Sequence, residues 1–157
     1  MLVKKERRVT KLKLSKQVPN LQLCKKLKEL GWDKETNISW YKYLFVPPNE
    51  MNKPFLLENS YWDSEDSWGM KSRLSKLYPA PSVAELGEAL PHNIMQNKKC
   101  FEFEVEKYEG GYISHYTRRL VNNQWQEEEL NDKRFESGFM ANSMAKMWIY
   151  LKENKLI

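Results

Sequence analysis

Leu23, Leu27 and Leu30 recur at three- and four-residue spacing, and Lys25, Lys26 and Lys28 occupy positions between them. That spacing lays one apolar stripe along a helix and turns the lysines to solvent. Asn20, following Pro19, is a good N-cap, so the helix runs to Leu30. Gly31 suits the left-handed residue after a helix, with Trp32 packing back onto the last turn. A period of two takes over at Phe101, where Phe101, Phe103 and Val105 alternate with Glu102, Glu104 and Glu106. This is a strand buried on one side only. Glu109-Gly110-Gly111 tolerates positive φ and predicts a hairpin into Tyr112 to Val121. Asn122-Asn123 is a second turn, and Gln124 to Glu129 adds a third strand. Helical spacing returns from Phe139 to Glu153, with Met140, Met144, Met147 and Leu151 on one stripe, Ser143 interrupting it and Trp148 beside it.

Ala80 to Leu90 carries the sharpest local signal. Ser82 with Glu85 three positions on is a capping box, Pro79 and Pro81 keep the approach extended, and Pro91 stops the helix. Val83, Leu86 and Leu90 share one side. Ile38 to Val46 is β-branched and aromatic and ends at Pro47-Pro48, which predicts a strand; Phe55 to Leu57 is a poorer one. Asn59 to Leu77 has no steady period and reads mostly as loop, locally acidic at Asp63, Glu65 and Asp66. Val9 to Val18 places Leu12, Leu14 and Val18 on alternate positions, as an edge strand would; a solvated extension is the equal alternative. The expected fold is α+β: a small antiparallel sheet of three to five strands with about three helices packed mainly on one face. Residues 1–17 form an arm and 18–157 a single domain.

The 157 residues suffice for a core without disulfide or metal support, and 41% hydrophobic content excludes wholesale disorder. Charge separates the two parts. Residues 1–16 hold Lys4, Lys5, Arg7, Arg8, Lys11, Lys13 and Lys16 against Glu6, a net of +6, which leaves −1 for the rest of a chain whose total is +5. No run of about 20 apolar residues offers a membrane span, and the basic N-terminus lacks the apolar stretch of a signal peptide. Cys24 and Cys100 have no CxxC context and read as reduced, buried thiols of a cytoplasmic protein.

Three segments in order, Val18 to Trp32, the Pro-Ala-Pro-led capping-box helix, and Ala141 to Ile157, resemble small uncharacterised proteins encoded by bacteriophages and prophages. In those, a leucine helix ending in Gly-aromatic precedes aromatic strands, a Pro-Thr/Ser-Val-Ala-Glu-Leu helix and an Ala-rich C-terminal helix. The resemblance implies a bacterial host cell and brings no activity or functional residue with it. The basic first 16 residues depart from it, as do Asn142 and Ser143.

Candidate chemistry divides by residue type. The arm, through Lys4, Lys5, Arg7, Arg8, Lys11 and Lys13, would release counterions from a nucleic acid. Tyr112 and Tyr116 beside Arg118 and Arg119, or Trp40, Tyr41 and Tyr43, would stack on unpaired bases, unless these aromatics are core. Trp62 and Trp68 flank the acidic loop as anchors for a partner protein, or else cover a thin core. His92 and His115 are far apart in the chain and no cluster has structural-metal spacing, so neither metal nor cofactor is expected. No Gly-x-Ser-x-Gly elbow exists; Cys100 opposite His115 across the hairpin stays open beside a packing role. Gly110-Gly111 opens no helix and so fails the phosphate-loop context. Glu102, Glu104, Glu106 and Lys107 would suit a metal-dependent nuclease, yet acids on one face are also what any solvated antiparallel strand presents. The expectation is a non-catalytic accessory protein of a phage or mobile element. Its partner would be a host or phage protein, or nucleic acid bound through the arm, and it would have no catalytic residue. Oligomeric state is not legible.

Overall fold

The Asn20 side chain accepts from the Leu23 amide at 3.0 Å and starts a helix that ends where Gly31 takes φ +88°. A computed structural model describes residues 13–43, 53–58, 74–122 and 124–157. Among the described residues the order is α1 (Leu14–Gln17), α2 (Leu21–Glu29), β1 (Ile38–Tyr43), β2 (Phe55–Glu58) and β3 (Leu74–Pro79). Then follow α3 (Val83–Ala89), β4 (Asn93–Gln96), β5 (Lys99–Tyr108), β6 (Gly111–Asn122), β7 (Gln124–Ser137) and α4 (Met140–Glu153). The class is α+β. No helix among the described residues is long and apolar enough to cross a membrane.

The strands divide into two antiparallel sheets where the sequence suggested one. Their orders are β2-β1-β3 and β4-β5-β6-β7. Strand periodicity shows which faces are apolar but carries no information on pairing partners. The short strands before residue 80 pair among themselves, and the long hairpins after it pair with each other. Two further differences concern local reading. Leu74–Pro79 is a strand although 74–77 lacked a period, and Leu14–Gln17 is a helical turn, not edge strand. Residues 44–46 of the expected first strand lie outside the described residues.

Each sheet has its own core. Leu86, Leu90, Ile94, Phe101, Tyr116 and Leu130 meet Met144, Met147, Trp148 and Leu151 of α4. Val18, Cys24, Ile38 and Ala80 form a smaller cluster with Leu14, Trp40, Leu56 and Tyr78 against it. α2 joins the two, with Cys24 in one and Leu27 in the other. Trp32 folds back as expected: its amide donates to the Leu27 carbonyl at 2.9 Å and its ring meets Trp148 edge-on at 5.2 Å. α4 is buried on more than its methionine stripe because it lies on β6 and β7 and is flanked by α2 and α3. Ser143 does not interrupt that packing. It is fully buried, and its hydroxyl bonds that of Ser114 on β6 at 2.9 Å.

Candidate functional site

Strand alternation sends Phe101, Phe103 and Val105 of β5 toward α4 and Glu102, Glu104 and Glu106 to the other face. The turn at Glu109-Gly110 sets Tyr108 opposite Gly111, and counting back four residues along each strand brings Glu104 opposite His115. Gly111 is obligatory there. It takes φ +147°, and a Cβ on it would run into the Ser137 carbonyl oxygen. Hairpin register thus delivers an imidazole among the acids.

β7 contributes the other wall. Its register against β6 shifts between His115, which faces Arg134, and Thr117, which faces Glu129. Residues 130–133 are accommodated opposite Tyr116, with Asn131 and Asp132 at φ +53° and +52°. Asn and Asp are the non-glycine residues that enter this conformation most readily. The bulge places two residues five apart in sequence on the same side of His115. Arg134 donates to both carboxylate oxygens of Glu129, from Nε at 3.3 Å and from its terminal nitrogen to Oε1. That hydrogen bond, assisted by His115, holds the Glu129 carboxyl below its ordinary range.

His115 is 3% exposed on the sheet face turned away from α4. Its Nε2 stands 3.7 Å from Glu106 Oε1 and its Nδ1 3.5 Å from Glu129 Oε1. Neither contact has hydrogen-bond geometry, so both buried ring nitrogens lack a hydrogen-bond partner, as does Thr117 Oγ1 two residues on. One donor atom each from Glu104, Glu106 and His115 lies within 4.8 Å of the others. Sequence reasoning treated His115 as an ordinary strand or loop residue. The signal that finds it is the hairpin turn, which sets the register.

A second feature lies where the arm enters the fold. An open groove of about 670 Å³ is lined by Lys16 and Gln17 of α1, Val83 of α3, Tyr112 of β6, and Phe139 and Met140. Lys16 is exposed at its edge, Lys13 is exposed three residues earlier, and Phe139 is 42% exposed.

Lys4, Lys5, Arg7, Arg8, Lys11, Trp62 and Trp68 lie outside the described residues. Arg118 is half-buried opposite Glu128, six residues along β6 from Tyr112 and so roughly 20 Å from the groove. Arg119 lies opposite Glu127 in the β6–β7 pairing. Tyr116 is fully buried, donating to the Pro91 carbonyl at 2.6 Å, and Tyr41 is also buried, so neither is a stacking platform. Cys100 is exposed, not packed, and sits opposite Met95; it does not face His115. Cys24 is buried as expected, and burial pushes its thiol up to about 12. No family model, curated protein or solved structure matches the chain.

Proposed function

We propose that this chain is a non-catalytic accessory protein of a phage or mobile element that binds single-stranded nucleic acid in a bacterial host. The observation that carries the reading is that Lys16, the last of the basic residues that give 1–16 a net charge of +6, lines a groove walled by Tyr112 and the exposed ring of Phe139. Cationic groups supply sequence-independent affinity through counterion release, and aromatic rings supply stacking that only unpaired bases accept. Lys16, exposed at the rim, brings the charge up to the groove, and Lys13, also exposed, precedes it by one helical turn. The phage assignment is supported by the order of the Val18–Trp32, Ala80–Leu90 and Ala141–Ile157 segments.

Fluorescence anisotropy with a labelled oligothymidine and a duplex of equal length tests this. The single strand is expected to bind more tightly, and its logarithmic affinity to fall with log salt by about 0.7 per phosphate neutralised. Removing residues 1–12 should flatten that slope. Phe139→Ala should weaken single-strand binding about 5- to 100-fold, the range for loss of one stacked base, without changing the slope. Absence of binding at low salt, equal affinity for duplex, or indifference to both changes would rule the proposal out and return attention to a protein partner.

A further inference from the structure

We propose that Glu104, Glu106 and His115 form a binding site for one divalent first-row transition ion, such as Zn²⁺ or Mn²⁺. The inference does not depend on nucleic-acid binding.

Three observations converge. The imidazole is 97% removed from solvent, yet neither ring nitrogen has a hydrogen-bond partner. Buried polar atoms are almost always satisfied, and an orphaned pair calls for a missing partner such as an ion. The carboxylates of Glu104 and Glu106 lie with an imidazole nitrogen inside a 4.8 Å triangle. Ligand atoms about 2.1 Å from a common ion stand about 3–3.5 Å apart, so small side-chain rotations close the triangle. Nε2, 3.7 Å from Glu106 Oε1, is the nitrogen the ion would take.

The third observation is the support behind the ring. Nδ1 faces Glu129, which Arg134 grips through both oxygens. A carboxylate 3.5 Å from Nδ1, just short of a hydrogen bond, favours the proton on that nitrogen and leaves Nε2 for the ion; closing the contact would give the arrangement found behind most metal-bound histidines. Arg134 also offsets the Glu129 charge, so the carboxylate behind the ring is neutralised by the protein itself. A solvated acidic face needs none of this, and its histidine would reach water.

The donor set selects the metal class. One imidazole with two carboxylates suits borderline ions; Ca²⁺ and Mg²⁺ favour all-oxygen sites and Cu⁺ favours sulfur. The Glu106 side chain is 54% exposed, so the ion would enter from that side and keep positions open to water or an anionic ligand.

Isothermal titration of the full chain with ZnCl₂, MnCl₂ and MgCl₂ tests the site, followed by histidine ¹⁵N spectra during the zinc titration. One Zn²⁺ per chain is expected, with Mg²⁺ at least tenfold weaker. The His115 Nε2 signal should shift while His92 stays unmoved. Glu106→Gln, on an exposed side chain, should weaken zinc at least tenfold with an unchanged melting temperature; Glu104→Gln should do the same to binding. Glu129 is a positioning residue. Glu129→Gln should weaken zinc about 10- to 100-fold and shift the metal-free His115 signals from one tautomer to a mixture. No saturable heat at millimolar zinc would overturn the proposal. So would binding that survives both ligand substitutions, a response centred on His92 or Cys100, or Mg²⁺ binding as tightly as Zn²⁺.

Discussion

Ser82 and Glu85 show how much one side chain can be asked to do. Glu85 donates its amide to Ser82 Oγ at 3.3 Å, and its carboxylate accepts from the Ser82 amide at 2.6 Å. Its other oxygen accepts from the Asn37 amide at 2.8 Å, a tie between α3 and the approach to β1 that no local motif announces. Ser82→Ala should therefore cost about 1 kcal/mol and Glu85→Ala about 2 kcal/mol, the latter losing a long-range bond as well. Thermal melts of the two variants, run side by side, decide whether the order holds. Ser114 and Ser143 make the complementary case. Ser143→Ala strands the buried Ser114 hydroxyl and should cost about 1–2 kcal/mol, whereas Ser114→Ala leaves Ser143 Oγ donating to the Met140 carbonyl at 2.9 Å and should cost less, and changing both should cost no more than Ser143→Ala alone. An additive double variant would show that the pair is not coupled. Single residues of this kind were legible when their partner lay within a turn. Ser143 read as a flaw in a stripe because its partner is 29 residues away.

Elements were legible where one pattern sufficed. The caps of α2 and α3 and the alternation of β5 each follow from adjacent residues. β7 was read only to Glu129, and it continues to Ser137 through the Asn131-Asp132 bulge. A bulge breaks the two-residue period, so a pattern search stops where the strand merely kinks. That kink brings Glu129 and Arg134 together beside His115, so the feature that hid the strand also builds the wall of the site. Gly111→Ala should cost at least about 1–2 kcal/mol, through a Cβ forced against the Ser137 carbonyl and an unfavourable φ. A denaturant titration measures this, and a cost below about 0.5 kcal/mol would mean that the hairpin end relaxes freely.

For the molecule as a whole, pH acts at two edges. Arg134 depresses the Glu129 carboxyl, so this group contributes stability at neutral pH that is lost as pH falls through and below the usual carboxylate range. Burial raises the Cys24 thiol from 9.0 to about 12, so its contribution is complete below pH 9 and is lost as pH rises toward 12. Urea midpoints across pH should fall at both ends. The acid limb should be shallower in Arg134→Gln and the alkaline limb shallower in Cys24→Ala. Unchanged limbs would detach these groups from the stability of the fold. A thiol reagent provides an independent check. Cys100, exposed, should react in the native state, and Cys24 only after unfolding.

What the sequence by itself determined is whatever neighbours decide. The capped helices, the alternating strand, the glycine turn and the segregation of charge into the first sixteen residues all depend on groups a few positions apart. Tertiary structure decided pairing and burial. It split the strands into two sheets, buried α4 nearly all round, exposed Cys100, and brought Glu104, Glu106, His115 and Glu129 together from three strands. Pairing partners are chosen by the global competition to bury apolar faces, and no local period encodes its outcome. The acids of β5 read as a solvated face because their histidine belongs to the next strand, and only register places it among them.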